Sequence, residues 1–250
     1  MKKTLLVLLS LSVSFLAMSQ ATAPTITHSP TTSSTKLLDL SKRAADHFVF
    51  QFGYDNWTNR PDSVRTTGFG RHFNFYFMLD KPFKSNQKIS IAYGVGFSSS
   101  NIFFDNTYVD VKSNTIRLPF TAVDSVNHFE KFKVTTIYAE LPVELRYYSN
   151  PENPNKSWKG ALGFKLGTLL KSYSKAKNLV TKNGVSVYGD SYIAKESNKR
   201  FFNGTMLAFT GRVGYGFLSI DAGYQFNGVL KEGTGAAMNK FSIGLTVSGL

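Results

Sequence analysis

From residue 47 onward, bulky apolar side chains recur at every second position, with small or polar residues between them. In 88–100, Ile89, Ile91, Tyr93, Val95 and Phe97 alternate with Ser90, Ala92, Gly94, Gly96 and Ser98. A period of two marks a strand with two unlike faces. The pattern recurs along the chain. In 47–57, Phe48, Phe50, Phe52 and Tyr54 oppose Val49, Gln51, Gly53 and Asp55; in 68–80, Phe69, Phe73, Phe75, Phe77 and Leu79 oppose Gly70, His72, Asn74, Tyr76 and Met78. Arg71 interrupts that second apolar face near one end, where a long stem can carry its charge to a membrane boundary. Further strands are predicted over 134–148, 158–171, 203–215, 218–226 and 240–250, each with the same alternation.

The face between the bulky residues is too small for an ordinary water-facing surface. The bulky face therefore meets the solvent, and that solvent is lipid. The fold class predicted is all-β, an eight-stranded antiparallel up-and-down transmembrane β-barrel with long extracellular loops. About 9–11 tilted residues suffice to cross the hydrocarbon, which matches these segments. Tyr54, Trp57, Tyr147, Tyr148, Trp158 and Tyr215 fall at strand ends, where interfacial aromatic girdles sit. A soluble sandwich would bury such faces too, but rarely with so many phenylalanines. Connections after odd strands are long (58–67, 99–133, 172–202, 228–239) and those after even strands short, as expected for outer loops and periplasmic turns. Asn183-Gly184 predicts a type I′ hairpin turn in the third long loop. The stretch 101–111 reads as a strand rising above the membrane; ten strands result if it crosses instead.

The N-terminus reads as a signal peptide: Lys2 and Lys3, an apolar run from Leu5 to Met18, and small residues at Ala17 and Ser19. Three segments follow: 1–19 as the leader, 20–46 as a flexible lead-in rich in Ala, Thr, Pro and Ser, and 47–250 as the barrel. Ala21-Thr22-Ala23 offers a second cleavage point. There is no cysteine, so neither a lipoprotein anchor nor a disulfide is available. The net charge is +13, and +11 once Lys2 and Lys3 are removed. An exported chain rarely meets nucleic acid; outer-membrane lipid and lipopolysaccharide phosphate are the better partners for that charge.

Ionisable groups concentrate on the inward face, with Glu140, Glu144, Arg146, Lys165, Arg212 and Asp221 as the expected charge network. Glu140 and Glu144 share one side of a strand, Lys165 stands on its neighbour, and Arg212 could pair with Asp221 across a hairpin. A proton or ion path and a salt-bridged plug both fit; charges away from water must be paired, and a barrel this narrow favours the plug. The third loop is basic, with Lys171, Lys175, Lys177, Lys182, Lys195, Lys199 and Arg200 as contacts for anionic lipopolysaccharide, or simply for solubility. The run 124-DSVNHFE-130 holds Asp124, Ser125, His128 and Glu130, but proximity in sequence does not make a triad. No catalytic set, cofactor motif or metal-ligand spacing is present, so an enzyme is not expected.

The segments 75-FYFMLDKPFK-84, 91-IAYGVGF-97, 137-IYAELPVELRYY-148, 161-ALGFKLGTLL-170 and 243-IGLTVSGL-250 resemble the outer-membrane β-barrel family of Bacteroidetes. That family includes PorT-like proteins and is similar in scale to OmpX-like small barrels. The resemblance covers about residues 47–250; its most distinctive piece is Pro142 inside a strand, which costs a ladder bond and implies a local adaptation. It implies an outer-membrane location and brings no catalytic residues. The terminal Leu250 departs from the aromatic end usual in such barrels. The function expected is non-enzymatic, a structural or interaction barrel of the envelope. A PorT-like accessory of protein secretion, partnered by secretion-machinery or other envelope proteins, is an alternative, and a narrow small-solute channel is another.

Overall fold

The computed structural model describes residues 47–123 and 127–249. The expected leader and lead-in, as well as Asp124 and Ser125, lie outside the described residues. In chain order the strands are β1 (Phe48–Thr58), β2 (Arg71–Pro82), β3 (Ile89–Phe104), β4 (Thr107–Val109), β5 (Phe120–Ala122) and β6 (His128–Tyr148). There follow β7 (Trp158–Val180), β8 (Ile193–Ser197), β9 (Thr205–Tyr215), β10 (Leu218–Gln225) and β11 (Asn239–Ser248).

Eight of these close a ring in the order β1-β2-β3-β6-β7-β9-β10-β11, every neighbour antiparallel, with β6–β7 and β1–β11 completing the circuit. In the last seam Val49 lies opposite Ser248 and Thr58 opposite Asn239. All eight crossing segments read from the alternation are present. The ten-strand alternative does not arise: 101–104 prolongs β3, while β4 pairs only with β5 in a separate hairpin.

Residues on the bulky face point away from the barrel axis. Phe52, Phe77, Val95, Leu141, Leu162, Phe209, Ile220 and Leu245 are all exposed, from every strand of the ring. An apolar band this continuous is stable only in lipid. The small face explains its own composition. A Cβ on Gly96 would collide with the Phe75 carbonyl oxygen and the Tyr76 ring, and one on Gly94 with the Phe77 carbonyl oxygen. The two aromatic expectations that fail are Trp57 and Tyr148, which turn inward and are buried, whereas Tyr147, Trp158 and Tyr215 face out.

Two irregularities shape the wall. Pro142 leaves a gap in the β3–β6 ladder: pairing runs to Tyr93 opposite Val143 and resumes at Gly96 opposite Glu140, with register unchanged. Proline has no N–H to give, so the break is local. The register shift lies on the other side of β6. Ile137 faces Lys171 but Tyr138 faces Leu169, which makes Leu170 the extra residue of a β-bulge in β7. Below the bulge odd residues of β7 point inward; above it the even residues Ser172, Ser174, Ala176 and Asn178 are the buried ones.

β6 and β7 run for 21 and 23 residues, about twice the 9–11 needed to cross the hydrocarbon. Their upper halves, with β8 added along Tyr173–Lys177, stand clear of the apolar band at the long-loop end. There the loops fold onto a second core. Val109, Val111, Leu118, Phe201, Phe202, Val229, Leu230 and Met238 are buried together with Trp57, Ile102, Phe104 and Phe132 from the strands. The turn at the tip of β7 differs from the type I′ expectation. Gly184 N–H donates to the Thr181 carbonyl at 2.9 Å, Gly184 has φ +78°, and Asn183 is not at positive φ. That is a three-residue turn ending in a left-handed glycine, a common solution for hairpins.

Candidate functional site

The lumen is filled by two linked polar clusters. In the first, Tyr76 Oη donates to Glu140 Oε2 at 2.6 Å and Ser98 donates to Glu140 Oε1. Lys165 Nζ donates to Tyr76 Oη at 2.8 Å and to Gln51 Oε1 at 3.1 Å, lies over the Tyr76 ring at 4.5 Å, and is 3.9 Å from Glu140. Asn74 also donates to Gln51 Oε1 at 3.1 Å; Gln51 donates to Thr246 at 2.9 Å, and Thr246 to Asp221 at 2.6 Å. In the second, Glu144 Oε2 accepts from Arg146 Nε at 2.8 Å and from Arg212 Nη2 at 2.9 Å. Arg146 is also 4.0 Å from Asp80, which accepts from Ser90 at 2.6 Å.

Arg212 and Asp221 are register partners, yet the guanidinium reaches across the lumen to Glu144 and Ser248, and Asp221 takes a hydroxyl instead. The expected hairpin pair is therefore replaced by a trans-luminal one. The alternation identified which side chains face inward but not which inward neighbour each would choose, because partners come from strands distant in sequence. Between the first cluster and the pair Asp55 and His72 a cavity of about 20 Å³ remains, lined in part by Asn74, Ser98, Glu140, Lys165 and Lys240. That is room for about one water.

Nearer the outer end, His72 Nδ1 is 2.7 Å from Asp55 Oδ1. The other ring nitrogen, Nε2, has no hydrogen-bond partner and lies against Gly244, and Ser100 stands opposite His72 in the β2–β3 ladder. Of the 124–130 run, His128 opens β6 and Glu130 accepts from Asn178 Nδ2 at 3.0 Å.

The basic loop divides in two. Lys171, Lys175 and Lys177 lie on the outer wall, because the Leu170 bulge turns the upper part of β7 by one residue, and Lys195 of β8 lies there opposite Lys175. Lys182 is exposed at the hairpin tip, and Lys199 and Arg200 follow β8. Arg200 Nη1 donates to the Ser113 carbonyl at 3.2 Å and stands 5.4 Å from the Phe201 ring, which ties it to the loop core. The same wall carries Arg71, Lys131 and Lys133 from β2 and β6, which a reading confined to one loop did not include. Outside the membrane, burial and the carboxylates of Glu196 and Asp110 push the Tyr108 phenol up to about 12.

The sequence profile of the outer membrane protein beta-barrel domain matches residues 42–231, well over half of the chain. The chain belongs to that family. Membership implies an outer-membrane location and agrees with the closed ring and its lipid-facing band. No curated protein sequence matches the chain. Two engineered variants of the Rh. blastica porin are found among solved structures, each 8% identical, covering 80% of this chain and 97% of the porin, with a TM-score of 0.17. At that score the likeness carries no weight for the details of the barrel. Most polar side chains of the lumen bond one another, whereas Asp55 Oδ2, His72 Nε2, Arg212 Nε and Ser219 Oγ have no hydrogen-bond partner.

Proposed function

We propose that this outer-membrane barrel is a closed, non-enzymatic interaction protein, which offers partners its outer dome and passes no solute through its lumen. The carrying observation is two seals in series. One is the packed charge network of the lumen, where the cavity beside Glu140 and Lys165 has space for about one water. The other is the apolar dome above it, in which Phe201, Phe202, Val109 and Met238 are fully buried. A barrel of eight strands has room for side chains and little else, and loops carrying their own core make a surface rigid enough to recognise a partner. Reconstitution in planar bilayers tests the reading: no stable conductance step is expected at neutral pH, and a reproducible step abolished by boiling the protein would refute it.

The segments resembling PorT-like proteins, above all 137–148 with Pro142 inside a strand, support a narrower reading. In it the dome or the chain entering β1 contacts subunits of a secretion machinery. Gentle capture of the tagged protein from solubilised outer membrane distinguishes the two: stoichiometric secretion subunits favour the narrower reading, and the barrel recovered with lipid alone favours a stand-alone envelope role.

A further inference from the structure

On the outer wall, just above the apolar band, basic side chains from different strands form one row. Phe103 of β3 faces Lys133 of β6, Lys133 faces Lys175 of β7, and Lys175 faces Lys195 of β8. Arg71 of β2 joins the row through Phe103, over which it and Lys133 each stand at 5.7 Å; Lys195 stands 4.3 Å over Tyr173. One rung higher, Lys131 faces Lys177. Like charges directly opposite on a sheet repel. Among the described residues none of these cations has a carboxylate within ion-pair distance. Glu196, next to Lys195 in the chain, points to the opposite face and accepts from Tyr108 at 3.2 Å. Lys133 also donates to Asn101 Oδ1 at 2.8 Å, and burial together with Lys175, Arg71 and Lys195 holds its ammonium below the usual lysine range.

The row has a structural cause. Without the bulge at Leu170, the lysines of upper β7 would point inward as Lys165 does; the extra residue presents them to the outside instead. Immediately below, the wall is Phe73, Phe97 and Ile137. A set of unpaired cations at the height where hydrocarbon ends, with aromatic rings between them, is complementary to an anionic lipid headgroup.

We propose that Arg71, Lys133, Lys175 and Lys195 form a docking site for the phosphate of a phosphorylated glycolipid of the outer leaflet, the lipid A part of lipopolysaccharide, whose acyl chains lie on the apolar band beneath. The site rests on the outer-membrane reading with the long-loop end outward. It does not depend on the lumen being sealed.

The test uses the full mature barrel in detergent, with bis-phosphorylated lipid A and its dephosphorylated form as probes and bound lipid read by native mass spectrometry. Each cation near an anionic lipid surface contributes about fivefold in affinity, so K133Q/K175Q/K195Q is expected to weaken phosphorylated lipid A binding by roughly 100-fold. K133R/K175R/K195R retains it, which separates loss of charge from loss of fold. K112Q/K231Q, at exposed positions of other outer loops, leaves it unchanged. Equal binding of the two lipid forms, or native-like binding by the triple Gln protein, would overturn the proposal. So would displacement of the lipid by millimolar inorganic phosphate, which would make this a simple anion site. Surface labelling of a tag at Gly184 on intact cells tests the orientation separately, so a wrong orientation and a wrong site give different results.

Discussion

Glu144 is the carboxylate on which the lower luminal cluster turns, and replacing it with glutamine removes its charge while keeping its shape. In the native protein it accepts from two guanidinium groups, at 2.8 and 2.9 Å, and all three side chains are buried. Hydrogen bonds to charged groups contribute about 1.5–3 kcal/mol each, so two give about 3–6 kcal/mol. Removing one partner of a buried ion pair independently costs about 3–5 kcal/mol, here felt chiefly at Arg212, because Arg146 keeps Asp80 at 4.0 Å. The two figures agree on a loss of about 4 kcal/mol for Glu144→Gln. The assay is equilibrium denaturant unfolding in detergent or lipid, followed by fluorescence; the chain has two tryptophans, Trp57 buried in the dome and Trp158 facing lipid, which report on opposite ends. A companion replacement of Glu144 and Arg212 by leucine removes the trans-luminal pair together, leaves Arg146 with Asp80, and is expected to be neutral or stabilising by about 1–4 kcal/mol. A loss below about 1 kcal/mol for Glu144→Gln would refute the reasoning, since it would mean that the Arg212 guanidinium finds water and the lumen is wet.

Phe202→Ala should cost about 3–5 kcal/mol of dome stability, seen as faster amide exchange in the outer loops with the lower strands still protected. Deleting Leu170 should remove the bulge yet keep the rungs on either side, Tyr138 opposite Leu169 and Ile137 opposite Lys171, so that Lys171, Lys175 and Lys177 still face outward and the yield of protease-resistant barrel is retained; a collapse of that yield would show that Leu170 is not the extra residue. Tyr108 should stay neutral far into base: its phenol shifts from the ordinary 10.0 to about 12, so the folded state favours the protonated form. That contribution to stability is complete below pH 10.0 and is lost as the pH rises towards about 12, which ultraviolet titration against a Tyr108→Phe control would follow.

The eight crossings were legible because lipid imposes a strict period of two on each of them, and Phe48 to Tyr54 or Ile220 to Phe226 cannot satisfy it in any other way. Loop parity followed from the same segments. The dome was not legible. Phe201-Phe202, Val229-Leu230 and Val109 with Val111 stand in segments without a regular period, and only the convergence of four loops gives them a common core. A pair of adjacent phenylalanines in an otherwise polar outer loop was the available signal. The bulge was hidden for a different reason: Leu169 and Leu170 are both apolar, so the slip of phase between them leaves no mark in a hydrophobic count. The continued alternation of Ser172, Ser174 and Ala176 with Tyr173, Lys175 and Lys177 does record it, one residue out of step with Lys165 and Gly167. Lumen partners escaped because Arg212 and Glu144 lie on β9 and β6, with β7 between them in the ring.

The seam between β1 and β11 also governs how the molecule can be made. Until Asn239–Ser248 is in place, Phe48–Thr58 has a bare hydrogen-bonding edge along its whole length, and bare edges template aggregation. The contact that ends this exposure spans nearly the full described chain, and such long-range closure is intrinsically slow. Translation therefore delivers a polymer that must be held apart from its siblings until its last strand arrives. The same adjacency makes the molecule a natural substrate for circular permutation. Val49 and Ser248 are ladder neighbours, so a short linker could join them and new ends could be opened at the exposed Asn183-Gly184 tip without breaking a single rung of the ring.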